Sequence, residues 1–189
     1  MHVGIFIYDN AEVLDFSGPF EVFATAARLA DANTQINVSL IGETAHPISA
    51  RAGFRVTPHF SFQNHPPLNI LIVVGGEHHE EMKKPAVLQW ILEQSQQVDI
   101  IASVCTGAFL LAEAGVLSNH KVTTHWEDIP ELRALYPQLT VIDRQRWVDE
   151  GNIITSAGIS AGIDMSLHLL AKITEPMLAE KTARQMEFD

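Results

Sequence analysis

Residues 98–114, VDIIASVCTGAFLLAEA, constrain this chain more than any other stretch. The apolar run 100–104 has the length and β-rich content of a strand covered on both faces, and residues 107–114 read as the first turns of an apolar helix. A strand buried on both faces belongs in a parallel sheet held between helices. Cys105, the only cysteine, then falls at a strand-to-helix turn on the carboxyl end of a strand, where open α/β sheets build their sites. The free N–H groups and positive end of the helix are expected to favour the thiolate. Ser103, Thr106 and Gly107 are small or polar and suit a sharp turn that lifts the side chain clear of the sheet, the arrangement of a nucleophile elbow with Cys in place of Ser. An isolated cysteine is usually a small buried hydrophobe. The turn position favours a reactive thiol instead.

The remaining chain alternates in the same way. Residues 2–8 form a β-rich apolar run, followed by a loop that leads through Ser17, Gly18 and Pro19 into a helix, with Ser17 as its cap and Pro19 in its first turn. Asp15 lies in that loop between Leu14 and Phe16, poorly solvated unless a site uses it or it bonds loop amides. Residues 36–41 read as a second strand, and 48–60 as a hairpin on the sheet edge. The strand 69–74 ends in Gly75-Gly76, whose backbone amides can point at a bound group in an oxyanion-type role. The following EHHEEMKK combines His78 and His79 with three glutamates, but adjacent histidines rarely share an ion, so a solvated charged loop is expected and no metal. Residues 85–97 are an amphipathic helix burying Val87, Leu88, Ile91 and Leu92. His125 follows a short strand and precedes a helix. Residues 141–143 and 146–148 read as paired short strands, 153–156 as a further strand, and 163–173 and 177–186 as helices.

A second candidate turn, Gly158-Ile159-Ser160-Ala161-Gly162, satisfies G-x-S-x-G after a strand and before a helix. The acid and base that follow, Asp164 and His168, share one helix and cannot both approach Ser160. Ser160 is therefore assigned to the helix start, with the glycines bringing the helix close to the sheet.

At 189 residues with no dividing linker, a single domain over 1–189 is expected. The net charge of −11 and the scattered Lys and Arg argue against nucleic acid and anionic membranes as partners. One cysteine, no signal-peptide pattern and no membrane-length apolar run give the cytoplasm as the expected location.

The motifs EVLDFSGPFEVF, IVVGG, SVCTGAFLLAEAGVL, TTHW and GNIITSAGISAGID, in this order, resemble the ThiJ/PfpI superfamily across nearly the whole chain. The resemblance implies a three-layer, doubly wound, mostly parallel sheet of flavodoxin-like, class-I glutamine-amidotransferase-like type. Within the superfamily it is nearest to the isonitrile hydratase branch and to the sensor domains of AraC-type regulators. It makes Cys105 the nucleophile, Asp15 its acidic partner and Thr106 a helper, with Gly75, Gly76 and Gly107 on the oxyanion side and His125 in support. Thr106 stands where protease-like members carry His, which counts against peptidase chemistry. Hydration of an isonitrile through a thioimidate is the implied reaction, with a small-molecule substrate, a homodimer and no cofactor. A ligand-sensing domain without a DNA-binding half is the alternative, since no helix-turn-helix follows Asp189. Glyoxalase or deglycase chemistry is a third reading.

Overall fold

The apolar runs of the sequence become the middle of one sheet. The computed structural model describes residues 1–188; Asp189, the last residue of the expected domain, lies outside them. In chain order the elements are β1 (His2–Phe6), α1 (Val13–Leu29), β2 (Asn37–Gly42), β3 (Ile48–Ala50), β4 (Phe54–Val56), β5 (Phe60–Ser61), β6 (Ile70–Val73), α2 (Pro85–Ser95), β7 (Ile100–Val104), α3 (Gly107–Glu113), β8 (Lys121–Val122), α4 (Ile129–Leu135), β9 (Thr140–Val141), β10 (Trp147–Asp149), β11 (Ile153–Ser156), α5 (Ala161–Ile173) and α6 (Pro176–Gln185).

The seven-stranded sheet runs β10-β11-β7-β6-β1-β2-β5. Neighbours are parallel except β10, which lies antiparallel to β11. Strands β6 and β7 are buried at every position, as apolar runs without alternation require. Helices α1, α5 and α6 pack on one another, and α2 packs on α3 across the sheet, giving the expected three layers. Phe6, Phe23 and Phe109 are fully buried, and truncating any of them to Ala is expected to cost about 3–5 kcal/mol.

From β1 the chain moves to β2 on one side, then crosses to β6, β7 and β11 on the other. The direction reverses between β1 and β6, so the carboxyl ends of these strands open a crevice.

Four local expectations are corrected. Helix α1 begins at Val13 rather than after Ser17. Ser17 Oγ donates to the Val13 carbonyl at 2.8 Å instead of capping, and Pro19 lies inside the helix. In that place proline withdraws only the N–H that would reach the Asp15 carbonyl, while Phe16, Val22 and Phe23 are buried along the same helix. The hairpin β3–β4 is a sheet of its own, and only β5 joins the main edge. Strands β9 and β10 do not pair: β9 lies beside β8, and β10 beside β11. In α2, Val87, Trp90 and Ile91 are buried, while Leu88 and Leu92 are only half-buried.

Candidate functional site

Strand β7 delivers Cys105 into a turn with φ +57°, a left-handed conformation that costs a residue with a Cβ about 1–2 kcal/mol. Neighbouring backbone holds it there. The Cys105 N–H faces the carbonyls of Ser156 and Ala157 at 3.2 and 3.3 Å, and its own carbonyl accepts the Thr124 hydroxyl at 2.8 Å. Thr124, in the motif before His125, thus fixes the turn, a role the sequence reading did not assign.

Asp15 occupies the first turn of α1 and is fully buried. Its Oδ2 accepts the Gly75 N–H at 3.2 Å and its Oδ1 accepts the Ile159 N–H at 3.2 Å. The Cys105 thiol faces this carboxyl closely enough for each to shift the other's titration. Burial, then the nearby Glu12 carboxylate, raise the Asp15 pKa to about 7, against the opposing pull of the two amides. Burial also pushes the thiol of Cys105 up, with the Asp15 charge second. The expected bias toward the thiolate is therefore corrected. Helix α3 has seven residues, and its positive end, with the Thr106 amide, does not outweigh desolvation and a facing carboxylate.

The glycine pair after β6 also differs from expectation. The Gly75 amide is engaged by Asp15, and the Gly76 amide by Thr106 Oγ1 at 3.0 Å. The same hydroxyl donates to the Gly76 carbonyl at 3.1 Å. These amides hold the acid and the threonine rather than standing open to a bound group. Gly107 is a packing residue, since a Cβ there would overlap the Val73 carbonyl oxygen.

His125 lies beside the sulfur. A Cβ at Gly158 would overlap the His125 ring and stand 3.3 Å from Cys105 Sγ, so the two side chains meet across that glycine. His125 Nδ1 lies 3.3 Å from Asp128 Oδ2. The second turn supplies Gly158 and the Ile159 amide to the site, and Ile159 itself has φ +57°. A backbone donor of this kind leaves little trace in sequence beyond the glycines around it. Ser160 is exposed, with Arg146 as its neighbour at 3.4 Å, and Gly162 sits close against Val104 as expected.

A cleft of about 380 Å³ opens over Cys105 and Thr106, lined by Glu12, Arg51, Gly76, Glu77, His78, His79, His125, Glu127, Asp128 and Ile159. Cys105 is 7% exposed at its floor. The solvated loop expected over residues 77–84 holds at Glu77, His79, Glu80 and Lys83 and is corrected at two positions. His78 and Glu81 are buried; His78 packs on Phe109 with ring centroids 4.5 Å apart, and Glu81 pairs with Lys84 at 2.7 Å. Among the described residues no group of three or more His, Cys, Asp or Glu is placed to hold a metal ion.

Residues 1–172 match the model of the DJ-1/PfpI family. The chain is 30% identical over 190 residues to isonitrile hydratase of Pseudomonas putida, covering all of this chain and 78% of that protein. It is 34% identical over 139 residues to the HTH-type transcriptional regulator CdhR of Pseudomonas aeruginosa, covering 74% of this chain but 41% of the regulator. Among solved structures, a ThiJ/PfpI family protein from Pseudomonas syringae superposes with TM-score 0.87 at 24% identity, covering all of this chain and 75% of that one. Drosophila melanogaster DJ-1beta superposes with TM-score 0.85 at 18% identity, covering all of this chain and 98% of that one. At these identities the structures speak for the fold.

Proposed function

The chain belongs to the DJ-1/PfpI family, and we propose that it is a cysteine-dependent enzyme hydrating an isonitrile to an N-substituted formamide. The observation that carries this reading is the Cys105–Asp15 pair: a buried carboxyl raised to about 7 facing a thiol pushed up by burial, at the floor of a cleft. Above about pH 7 the pair keeps one proton, on sulfur and within reach of the Asp15 carboxylate, and an isonitrile carbon takes both a nucleophile and a proton.

The Asp15 carboxylate takes the thiol proton as sulfur attacks the terminal carbon of R–N≡C and delivers it to the same carbon, leaving the thioimidate Cys105–S–CH=N–R and an Asp15 carboxylate. Asp15 then takes a proton from water as the hydroxyl adds to carbon, and passes that proton to nitrogen. The remaining O–H proton returns to Asp15 as the C–S bond breaks, releasing O=CH–NH–R and restoring the pair. One water is added overall. In this scheme Thr106 holds the turn and directs its amide at sulfur, Gly75 and Gly76 position the acid and the threonine, and His125 supports the cleft wall. A single ThiJ/PfpI-type domain over 1–189 carries all these groups. The protein would work in the cytoplasm, where a lone thiol stays reduced, and as a homodimer. No helix among the described residues is long and apolar enough to cross a membrane.

Similarity to the CdhR regulator supports a second reading, a ligand-sensing domain. Incubation with an alkyl isonitrile decides between them. Catalytic formation of the formamide is expected, and its absence from protein whose Cys105 reacts with thiol reagents would favour the sensor.

A further inference from the structure

The walls of the cleft carry charge that this mechanism does not use. Glu12, Glu77, Glu127 and Asp128 line it, against one guanidinium, Arg51, which already bridges Glu12 at 3.3 Å and Glu77 at 3.0 Å. Among the described residues Glu127 and Asp128 have no Arg or Lys partner and meet only His125, at 3.9 and 3.3 Å. A second observation is independent of the carboxylates. His78 lines the same cleft, is 2% exposed, and its Nε2 has no hydrogen-bond partner among the described residues. Its Nδ1 lies 3.3 Å from the Gly76 carbonyl; a carbonyl only accepts, so Nδ1 carries the hydrogen and Nε2 is left as an acceptor. Burial holds His78 below the usual histidine range, so it does not offset the acids. A buried acceptor without a donor is costly, and a bound group that donates would remove that cost.

We infer that the cleft selects a substrate carrying a protonated amine, an N–H-bearing cation that the wall carboxylates attract and whose hydrogens satisfy acceptors such as His78 Nε2. The inference rests on Cys105 as the reacting group and names the substrate class of that site. An anionic substituent would meet uncompensated carboxylates. A quaternary ammonium would satisfy the charge but supply no hydrogen.

Because the chain has one cysteine, methanethiosulfonate reagents read the cleft through a single site, independently of any hydration assay. The native protein is treated at low ionic strength with the 2-aminoethyl, 2-trimethylammonioethyl, methyl and 2-sulfonatoethyl reagents. Each rate, from intact mass, is divided by its rate with N-acetylcysteine. The 2-aminoethyl reagent is expected to be fastest and to exceed the 2-sulfonatoethyl reagent by at least about tenfold. That preference should shrink in 1 M salt and in the Glu77→Gln/Glu127→Gln variant. In His78→Phe, which keeps an aromatic ring against Phe109, the advantage of the 2-aminoethyl over the trimethylammonioethyl reagent should disappear.

Equal normalised rates for cationic and anionic reagents overturn the inference even where neutral isonitriles are hydrated. Equal rates for the two cations in the native protein overturn the amine requirement. A preserved charge order without formamide from any isonitrile, including an aminoalkyl one, removes the proposed reaction but upholds the inference. If no reagent reaches Cys105, both fall.

Discussion

Two strand-to-helix turns meet over the sheet, β7 into α3 and β11 into α5, and they look alike. Each follows a buried strand, and each holds a residue with a Cβ at φ +57°, Cys105 in one and Ile159 in the other. In the first turn the twisted residue is itself the proposed nucleophile, its sulfur beside Asp15. In the second, the twisted residue gives only an amide to Asp15, and the serine after it points away toward Arg146. A nucleophile motif therefore marks a kind of turn; what the side chain faces decides whether it can react. Here one turn supplies the proposed reacting atom and the other helps hold the acid.

The sharpest way to break this division of labour is Cys105→Ala, which should reduce formamide formation to the uncatalysed rate while the circular dichroism spectrum stays native. Residual turnover above background would move the reacting group elsewhere. Asp15→Asn follows, with an expected loss of about 10²- to 10⁴-fold in kcat/KM. Its NH2 group cannot accept from whichever of the Gly75 and Ile159 amides it faces, so the second turn should loosen too.

The acid also predicts a pH dependence of stability. A carboxyl raised on folding from the usual range to about 7 favours the folded state below its unfolded pKa, and that contribution is lost as pH rises through about 7. The loss is at most about 4 kcal/mol. The Tm of Asp15→Asn minus that of the native protein should therefore become more positive between pH 4 and pH 8. A constant difference would mean that Asp15 titrates alike in both states.

Gly158→Ala tests the seam between the turns. The new methyl would overlap the His125 ring next to Cys105 Sγ, costing about 1–3 kcal/mol in denaturant unfolding and slowing turnover. The smallest effect belongs to Ser160→Ala, expected within about 0.5 kcal/mol of the native stability and at native activity. A collapse of activity there would reverse the assignment of the two turns.

The strands around the site were legible because their apolar runs are buried on both faces, and Cys105 was legible because such a run ends directly before it. Asp15 was recognised as a candidate but set in a loop. Ser-Gly-Pro reads as a helix start, whereas burial of Phe16 against the core carries the helix back to Val13. The carboxyl thereby sits on a helix turn, more rigidly placed than a loop would allow. The 77–84 segment reads as solvated by its charge, yet His78 lies against Phe109, a contact made by chain distant in sequence. The electrostatic bias at Cys105 failed for a related reason. The helix end is local and visible, while the depth of burial and the facing carboxylate arise only on folding.

The amides that grip Asp15 come from positions 60 and 144 residues further along the chain. Contacts of such separation form late and slow folding. During synthesis, then, the acid's cradle stays half-built until β11 and the turn beyond it have left the ribosome, and a nascent chain carries its thiol without the proton-sharing partner fixed in place. Competence waits for that second turn rather than being accumulated along the way.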